Sequence, residues 1–248
     1  MIIGSTLFYH ENLPSTNSYA ASLLKAREVP EGYVIYTNYQ SAGRGHAGNK
    51  WESEENKNLL ISVILYPTMI NAAEQFQLSM MISLGICDFL HRYTEEISIK
   101  WPNDIYVNDD KIAGILIENS IMGETIEHTI AGIGININQV KFLSDAPNPV
   151  SLTNLTGAQY DLAECMGQLT ADLDKRYKYL ISGDRDRIKS DYISCLYRHN
   201  QWSNFRDLKG KFEGRISDVS DAGRLRVYLK DGNVREYSFK EIDFILKT

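Results

Sequence analysis

KWPNDIYVNDDKIAGILIE, residues 100–118, is the stretch from which the fold of this chain is read. ISIK (97–100) is a short β-like run, Pro102 interrupts it, and DIYV resumes it. Asn108, Asp109 and Asp110 supply turn chemistry, and KIAGILIEN then returns to apolar β character. The pattern predicts a hairpin whose second strand opens on Lys111. TIAGIGININ (129–138), with small and β-branched residues alternating, predicts a central strand downstream. Upstream, NLLISVILYP (58–67) reads as a buried strand stopped by Pro67, and YVIYTNYQ (33–40) as another strand. Between and around these strands lie helical patterns. One runs from a cap at Ser15 or Thr16 to about Arg27, and a long amphipathic one covers 72–93. Two more carry Met166, Leu169, Leu173, Tyr177 and Leu180, then Ile188, Tyr192, Ile193 and Leu196.

The texture changes after about Gln201. FEGRISDV, RLRVYLKD, NVREYSF and IDFIL are short strands separated by Asp221-Ala222-Gly223 and Asp231-Gly232-Asn233. Regular short strands with an Asp-Gly turn predict a small barrel. The pattern therefore predicts an α/β or α+β body over 1–200 and a compact β domain over 203–248.

Bulk properties exclude several function classes. With 26 basic against 32 acidic residues and a net charge of −6, the chain offers no basic face, so no nucleic-acid partner is expected. Cys87, Cys165 and Cys195 are too few and too scattered for a disulfide framework or a metal-ligand pattern, which points to a reducing compartment. The N-terminus lacks the basic start and apolar run of a signal peptide, and no stretch approaches the ~18 apolar residues of a membrane span. A cytoplasmic protein without membrane attachment is expected.

One stretch stands apart. GRGHAGNKW (43–51) places Arg44, His46 and Lys50 among three glycines, on an acidic chain. Glycines let backbone N–H groups approach a ligand, and basic side chains beside them suit a phosphate or carboxylate. The spacing fits neither the Walker nor the dinucleotide pattern. By itself the loop is equally a solvated connection with incidental charge.

Taken in order, PSTN (14–17), YQSAGRG, GRGHAGNKW, KWPND, KIAGIL and GIGININ resemble the signature regions of biotin protein ligases. The likeness is close over residues 10–140. It implies the α+β form, a class II synthetase-like catalytic domain with a mixed sheet and flanking helices, followed by the small SH3-like C-terminal domain that the family carries. It also implies a two-step reaction: ATP activates biotin to biotinyl-5′-adenylate, and a lysine of a biotin carboxyl carrier protein, the acetyl-CoA carboxylase subunit, then takes the acyl group. ATP and biotin are the implied substrates and Mg²⁺ the implied cofactor.

The resemblance also implies roles. Lys111 bridges the biotin carboxylate and the α-phosphate, whereas outside this motif it would be a solvated lysine after a turn. Arg44, with the Gly43, Gly45 and Gly48 backbone, covers biotin and the adenylate phosphate as a loop that orders on binding. Biotin contacts are implied for Ser15, Thr16, Asn17, Gln40, Gly43, Gly45, His46 and Gly114. Ser15 and Thr16 equally cap a helix. The adenylate is assigned to Arg44, His46, Asn49, Trp51, Lys111 and Asn136, with Trp51 alternatively a core or lid residue and Asn136 alternatively a locally bonded strand end. His46 and Asn49 stand where many members carry basic residues. Asp104 either helps hold Mg²⁺ or caps a turn. A lipoate or octanoate ligase is the rival within the superfamily, and a biotin-dependent repressor the rival outside catalysis. With about 14 residues before PSTN, no DNA-binding domain is expected. The residues leave monomer and homodimer both open.

Overall fold

The computed structural model describes residues 1–144 and 148–245, and for Ala47 the backbone alone. Its centre is a seven-stranded mixed sheet. In chain order the strands are β1 (Leu7–Leu13), β2 (Tyr33–Gln40), β3 (Asn58–Leu65), β4 (Ile97–Lys100), β5 (Asp104–Val107), β6 (Asp110–Met122) and β7 (Thr125–Asn136). The spatial order is β1-β2-β3-β7-β6-β5-β4, with β1 parallel to β2 and the remaining pairs antiparallel.

Every residue of β3 is buried, because helices cover both faces. On one face α1 (Thr16–Ala26) packs Ala20 against a small cluster with Ile35, Ile64 and Ile130. On the other lie α2 (Phe76–Leu90), α4 (Leu162–Ile181) and α5 (Arg185–Ser194), with the short α3 (Leu152–Thr156) before them. These helices form the large core with Ile61, Val63, Ala131 and Ile133. Residues 130, 132 and 134 of β7 therefore face α1, and 131, 133 and 135 face the main core, by strand alternation.

The expected elements appear with shifted bounds. The helix expected over 72–93 is a 3₁₀ turn at Ala72–Glu74 followed by α2, which is buried on most sides rather than amphipathic. β1 and α3 were not legible. β1 is a mostly exposed edge strand that pairs with β2 alone, so it shows little apolar periodicity.

The C-terminal segment forms a five-stranded antiparallel sheet: β8 (Trp202–Asp207), β9 (Gly210–Val219), β10 (Leu225–Leu229), β11 (Val234–Tyr237) and β12 (Asp243–Phe244), in the order β11-β10-β9-β8-β12. β8 is an addition to the expected strands, and Leu246, the end of the expected last one, lies outside the described residues. This sheet contacts the body directly. Trp101 Nε1 donates to Gly223 O at 2.9 Å, and Lys189 pairs with Asp221 at 2.7 Å. Cys87 and Cys165 are buried, and all three cysteines are free thiols. No helix among the described residues is long and apolar enough to cross a membrane.

The helical layer is tied by Arg176 of α4. Its guanidinium binds Asp88 of α2 through Nε and NH2, at 2.6 and 2.8 Å, and Asp191 of α5 through NH1 at 2.5 Å. The arginine side chain is only 12% exposed, so removing it leaves Asp88 and Asp191, 24% and 38% exposed, without their shared cation. Arg176→Ala is expected to lower the unfolding free energy by about 2–4 kcal/mol, read from urea denaturation.

Candidate functional site

The expected hairpin is present, and its irregularity builds the site. Asn108 takes a left-handed conformation (φ 53°), which Asn tolerates, and β5 returns as β6 after it. The register then slips: Tyr106 pairs with Lys111 but Ile105 pairs with Ala113, so one extra residue is accommodated on β6. In a regular strand Lys111 and Gly114 would face opposite sides. The bulge brings both to the same cavity and buries Ile112 and Ala113 in the core. The Lys111 backbone is also held from its far side, donating to Asn148 O at 2.7 Å and accepting from Val150 N at 3.0 Å.

The cavity lies on the α1 face of the large sheet. Its walls hold Ser15, Thr16 and Asn17 from the start of α1, Gln40 from the end of β2, and Arg44, Gly45, His46 and Trp51 from the glycine loop. Asp104, Lys111 and Gly114 come from the hairpin. Lys111 Nζ sits 2.7 Å from Asp104 Oδ1, both side chains being 21% exposed. Thr16 donates to Gln40 Oε1 through its backbone N–H at 2.8 Å and its hydroxyl at 3.2 Å. Ser15 is the N-cap of α1, its hydroxyl accepting from Ser18 N at 3.5 Å. Capping and pocket placement thus coexist in one residue.

The glycine loop is itself a miniature hairpin. Arg44 and Lys50 bridge across it, Gly45 N donates to Asn49 O at 2.7 Å, and Trp51 N donates to Gly43 O at 3.0 Å. Its base is fixed to the segment before α1 by Ser41 N to Leu13 O (3.1 Å) and Ala42 N to Pro14 O (2.9 Å). Trp51 then lies flat on the sheet. A Cβ at Gly114 would come within 2.8 Å of its ring, and one at Gly134 within 2.4 Å, so these two positions admit no side chain. Trp51 Nε1 is buried without a partner, and Lys111 Nζ stands 5.7 Å from the ring centroid.

His46, at the loop tip, packs edge-on against Phe239 of the C-terminal sheet, centroids 4.1 Å apart. It also borders a second cleft lined by Phe76, Trp101 and Arg224. Burial lowers the His46 pKa below the usual histidine value, opposed by the charge of Asp104 and reinforced by Lys240.

Not every expected residue reaches the cavity. Asn49 is exposed and contributes backbone bonds within the loop, and Gly43 is buried beneath Trp51, whose carbonyl a Cβ there would meet at 2.4 Å. Asn136 is buried beyond the cavity lining, its Nδ2 donating to Val150 O at 3.0 Å and its Oδ1 unpartnered. Conversely, the sequence reading passed over Glu118, Asn103, Gly132 and Gly134. Glu118 binds Arg44 at 2.7 Å. Asn103 locks Pro102–Asp104 to β6, donating from Nδ2 to Ile115 O and accepting from Ile115 N, each at 2.9 Å. The available signal was a lone carboxylate and paired glycines inside otherwise apolar strands. For a metal, no group of three His, Cys, Asp or Glu converges among the described residues.

Several known proteins are similar to this chain. The Biotin/lipoate A/B protein ligase family matches residues 9–136. The biotin–[acetyl-CoA-carboxylase] ligase of Paracoccus denitrificans is 32% identical over 227 residues, covering 86% of this chain and 91% of that one. The bifunctional ligase/repressor BirA of Bacillus subtilis is 30% identical over 243 residues, covering 96% of this chain and 74% of its own. Among solved structures, the Aquifex aeolicus biotin protein ligase in complex with biotin and ATP superposes with a TM-score of 0.80 at 26% identity, over 98% of this chain and all of that one.

Two outcomes follow from the packing. Gly134→Ala drives the Trp51 indole off the sheet, shifting tryptophan fluorescence and costing about 1–3 kcal/mol in denaturation. The His46 imidazole titrates by NMR with a midpoint below the ~6.5 of free histidine, and Phe239→Ala moves it back toward that value. Because the unfolded chain binds the proton more readily, the contribution of this contact to stability falls as pH drops through ~6.5 toward the lowered midpoint.

Proposed function

The chain belongs to the Biotin/lipoate A/B protein ligase family, and from that premise we propose that it is a biotin–protein ligase that uses ATP to activate biotin and transfers it to a carrier lysine. The observation that carries the reading is the Lys111 ammonium, aimed into the cavity by the β6 bulge and held against Asp104, beside an arginine-bearing glycine loop.

The chemistry begins with two anions that repel each other. A biotin carboxylate oxygen attacks the α-phosphorus of ATP, the bond to the bridging oxygen breaks, and pyrophosphate leaves. Lys111 offsets the repulsion by donating to both reacting oxygens, its backbone pinned on both sides so that little reorganisation is needed. Asp104 keeps that ammonium oriented, and its carboxylate would help hold a Mg²⁺ that comes with the nucleotide. Mg²⁺ supplies neutralisation of the phosphate charge. In the second step the carrier lysine, as a neutral amine, attacks the acyl carbon, AMP leaves, and the amine loses a proton.

The remaining walls fit the rest of the ligand. Ser15, Thr16 and Gln40 offer donors and acceptors to a ureido ring, and Gly114 lets the Trp51 indole lie against the strand as an apolar wall for the bicycle. Arg44 with the Gly45 backbone covers biotin and the adenylate phosphate, while His46 and Trp51 bound the nucleotide side. Asn136, with a buried unpaired Oδ1, is an acceptor suited to the adenine amino group. Closure of loop 43–51 over the adenylate shields it from water. The acceptor is a biotin carboxyl carrier protein of acetyl-CoA carboxylase, as the name of the Paracoccus relative suggests.

Biotin-dependent ATP–pyrophosphate exchange tests this reading, and exchange with lipoate but not biotin would overturn it. In Lys111→Ala, exchange is expected to fall by about a hundredfold to a thousandfold with the circular-dichroism spectrum unchanged.

A further inference from the structure

Arg44 does not cover the cavity as a free side chain. Its guanidinium meets Glu118 of β6 with both terminal nitrogens, NH2 to Oε1 at 2.7 Å and NH1 to Oε2 at 3.3 Å. Glu118 is in turn fixed from below: its Oε2 accepts from Asn17 Nδ2 at 2.8 Å. Asn17 is 3% exposed, and three of its amide's four hydrogen-bonding positions are taken by protein partners. Nδ2 also donates to Leu116 O at 3.2 Å, and Oδ1 accepts from Ser62 Oγ at 2.6 Å. Asn17 cannot relax toward the sheet, since its Oδ1 lies 2.3 Å from where a Cβ of Gly132 would stand. The chain of bonds runs from the fully buried Ser62, at the middle of β3, out to a loop residue.

We propose that Glu118 is a positioning residue that sets the Arg44 guanidinium across the mouth of the pocket, anchored to the central sheet through Asn17 and Ser62. An ion pair as exposed as this one, with Arg44 47% and Glu118 35% accessible, contributes little to fold stability. Its effect is orientational. A carboxylate that is already fixed holds the planar fork in one plane, and the remaining N–H groups are aimed into the cavity before a ligand arrives. Asn17 then acts as the buttress of this relay rather than as a reader of the ureido ring, because both its donors and one of its two acceptor positions are committed to protein partners. The proposal rests on the reading of Arg44 as a ligand-binding group.

The test is a double-mutant cycle on biotin affinity, measured by isothermal titration without ATP. Glu118→Gln keeps the shape and removes the charge, and it is expected to weaken biotin binding about tenfold, the scale of one charge-assisted hydrogen bond, with an unchanged unfolding midpoint. In an Arg44→Ala background the same substitution is expected to add nothing, since Glu118 acts only through Arg44. Unchanged affinity in Glu118→Gln, or losses that simply add, would overturn the proposal. Trypsin cleavage after Arg44 reads the tether without any ligand: it quickens in Glu118→Gln if the tether holds the loop, and equal rates refute it. A wild-type protein that binds no biotin sinks the functional reading, while the cleavage rates still decide the tether.

Discussion

The extra residue on β6 is the constraint on which the site depends. Strand alternation sends successive side chains to opposite faces, and a regular β6 would give the cavity either Lys111 or Gly114. With the bulge, the ammonium and the bare strand position against which Trp51 lies occur on the same face, and two apolar residues still enter the core. The surrounding structure serves to hold that irregularity. Asn148 and Val150 grip the Lys111 backbone from outside, Asn103 ties the preceding turn to Ile115, and Asp104 takes the charged end of Lys111.

A second layer of organisation comes from absent side chains. Gly114 and Gly134 clear space for Trp51, and Gly132 clears it for Asn17. The α1 face of the sheet thus alternates between an apolar part, where Ala20 packs against Ile64 and Ile130, and a bare part where loop and helix residues descend onto the strands. The cavity is the seam between those parts. Its polar groups come from a helix start, a strand end, a loop and a hairpin, four segments that the sheet order brings together although they span a hundred residues of sequence.

Much of this was legible from residues. The KWPND–KIAGIL hairpin, the buried strand at 58–67 and the GIGININ strand are coded by local turn chemistry and strong apolar runs, so tertiary context had little to override. The ordered motifs likewise carried Lys111, Asp104, Arg44 and Gln40 into one pocket. What stayed hidden depended on pairing at a distance. β1 is an edge strand without a clear apolar face, and the bulge is a register event that residue types do not announce. Glu118 looks like an ordinary strand-end carboxylate until its partners, Asn17 and Arg44, arrive from 101 and 74 residues earlier. Asn17 is expected as a ligand contact because a carboxamide suits that task, and it does line the cavity, but its ties to Leu116, Glu118 and Ser62 depend on strands distant in sequence.

Both cations at the cavity already have a carboxylate: Lys111 has Asp104, and Arg44 has Glu118. On a chain with a net charge of −6, the chamber is therefore no bare positive well. Inorganic phosphate, citrate or a stray nucleotide drifting past meets groups whose electrostatic demand is satisfied locally, and gains little by lodging there. Only a guest that engages the walls as well as the charges can compete, so discrimination against the abundant anions of a crowded solution is built into the resting arrangement.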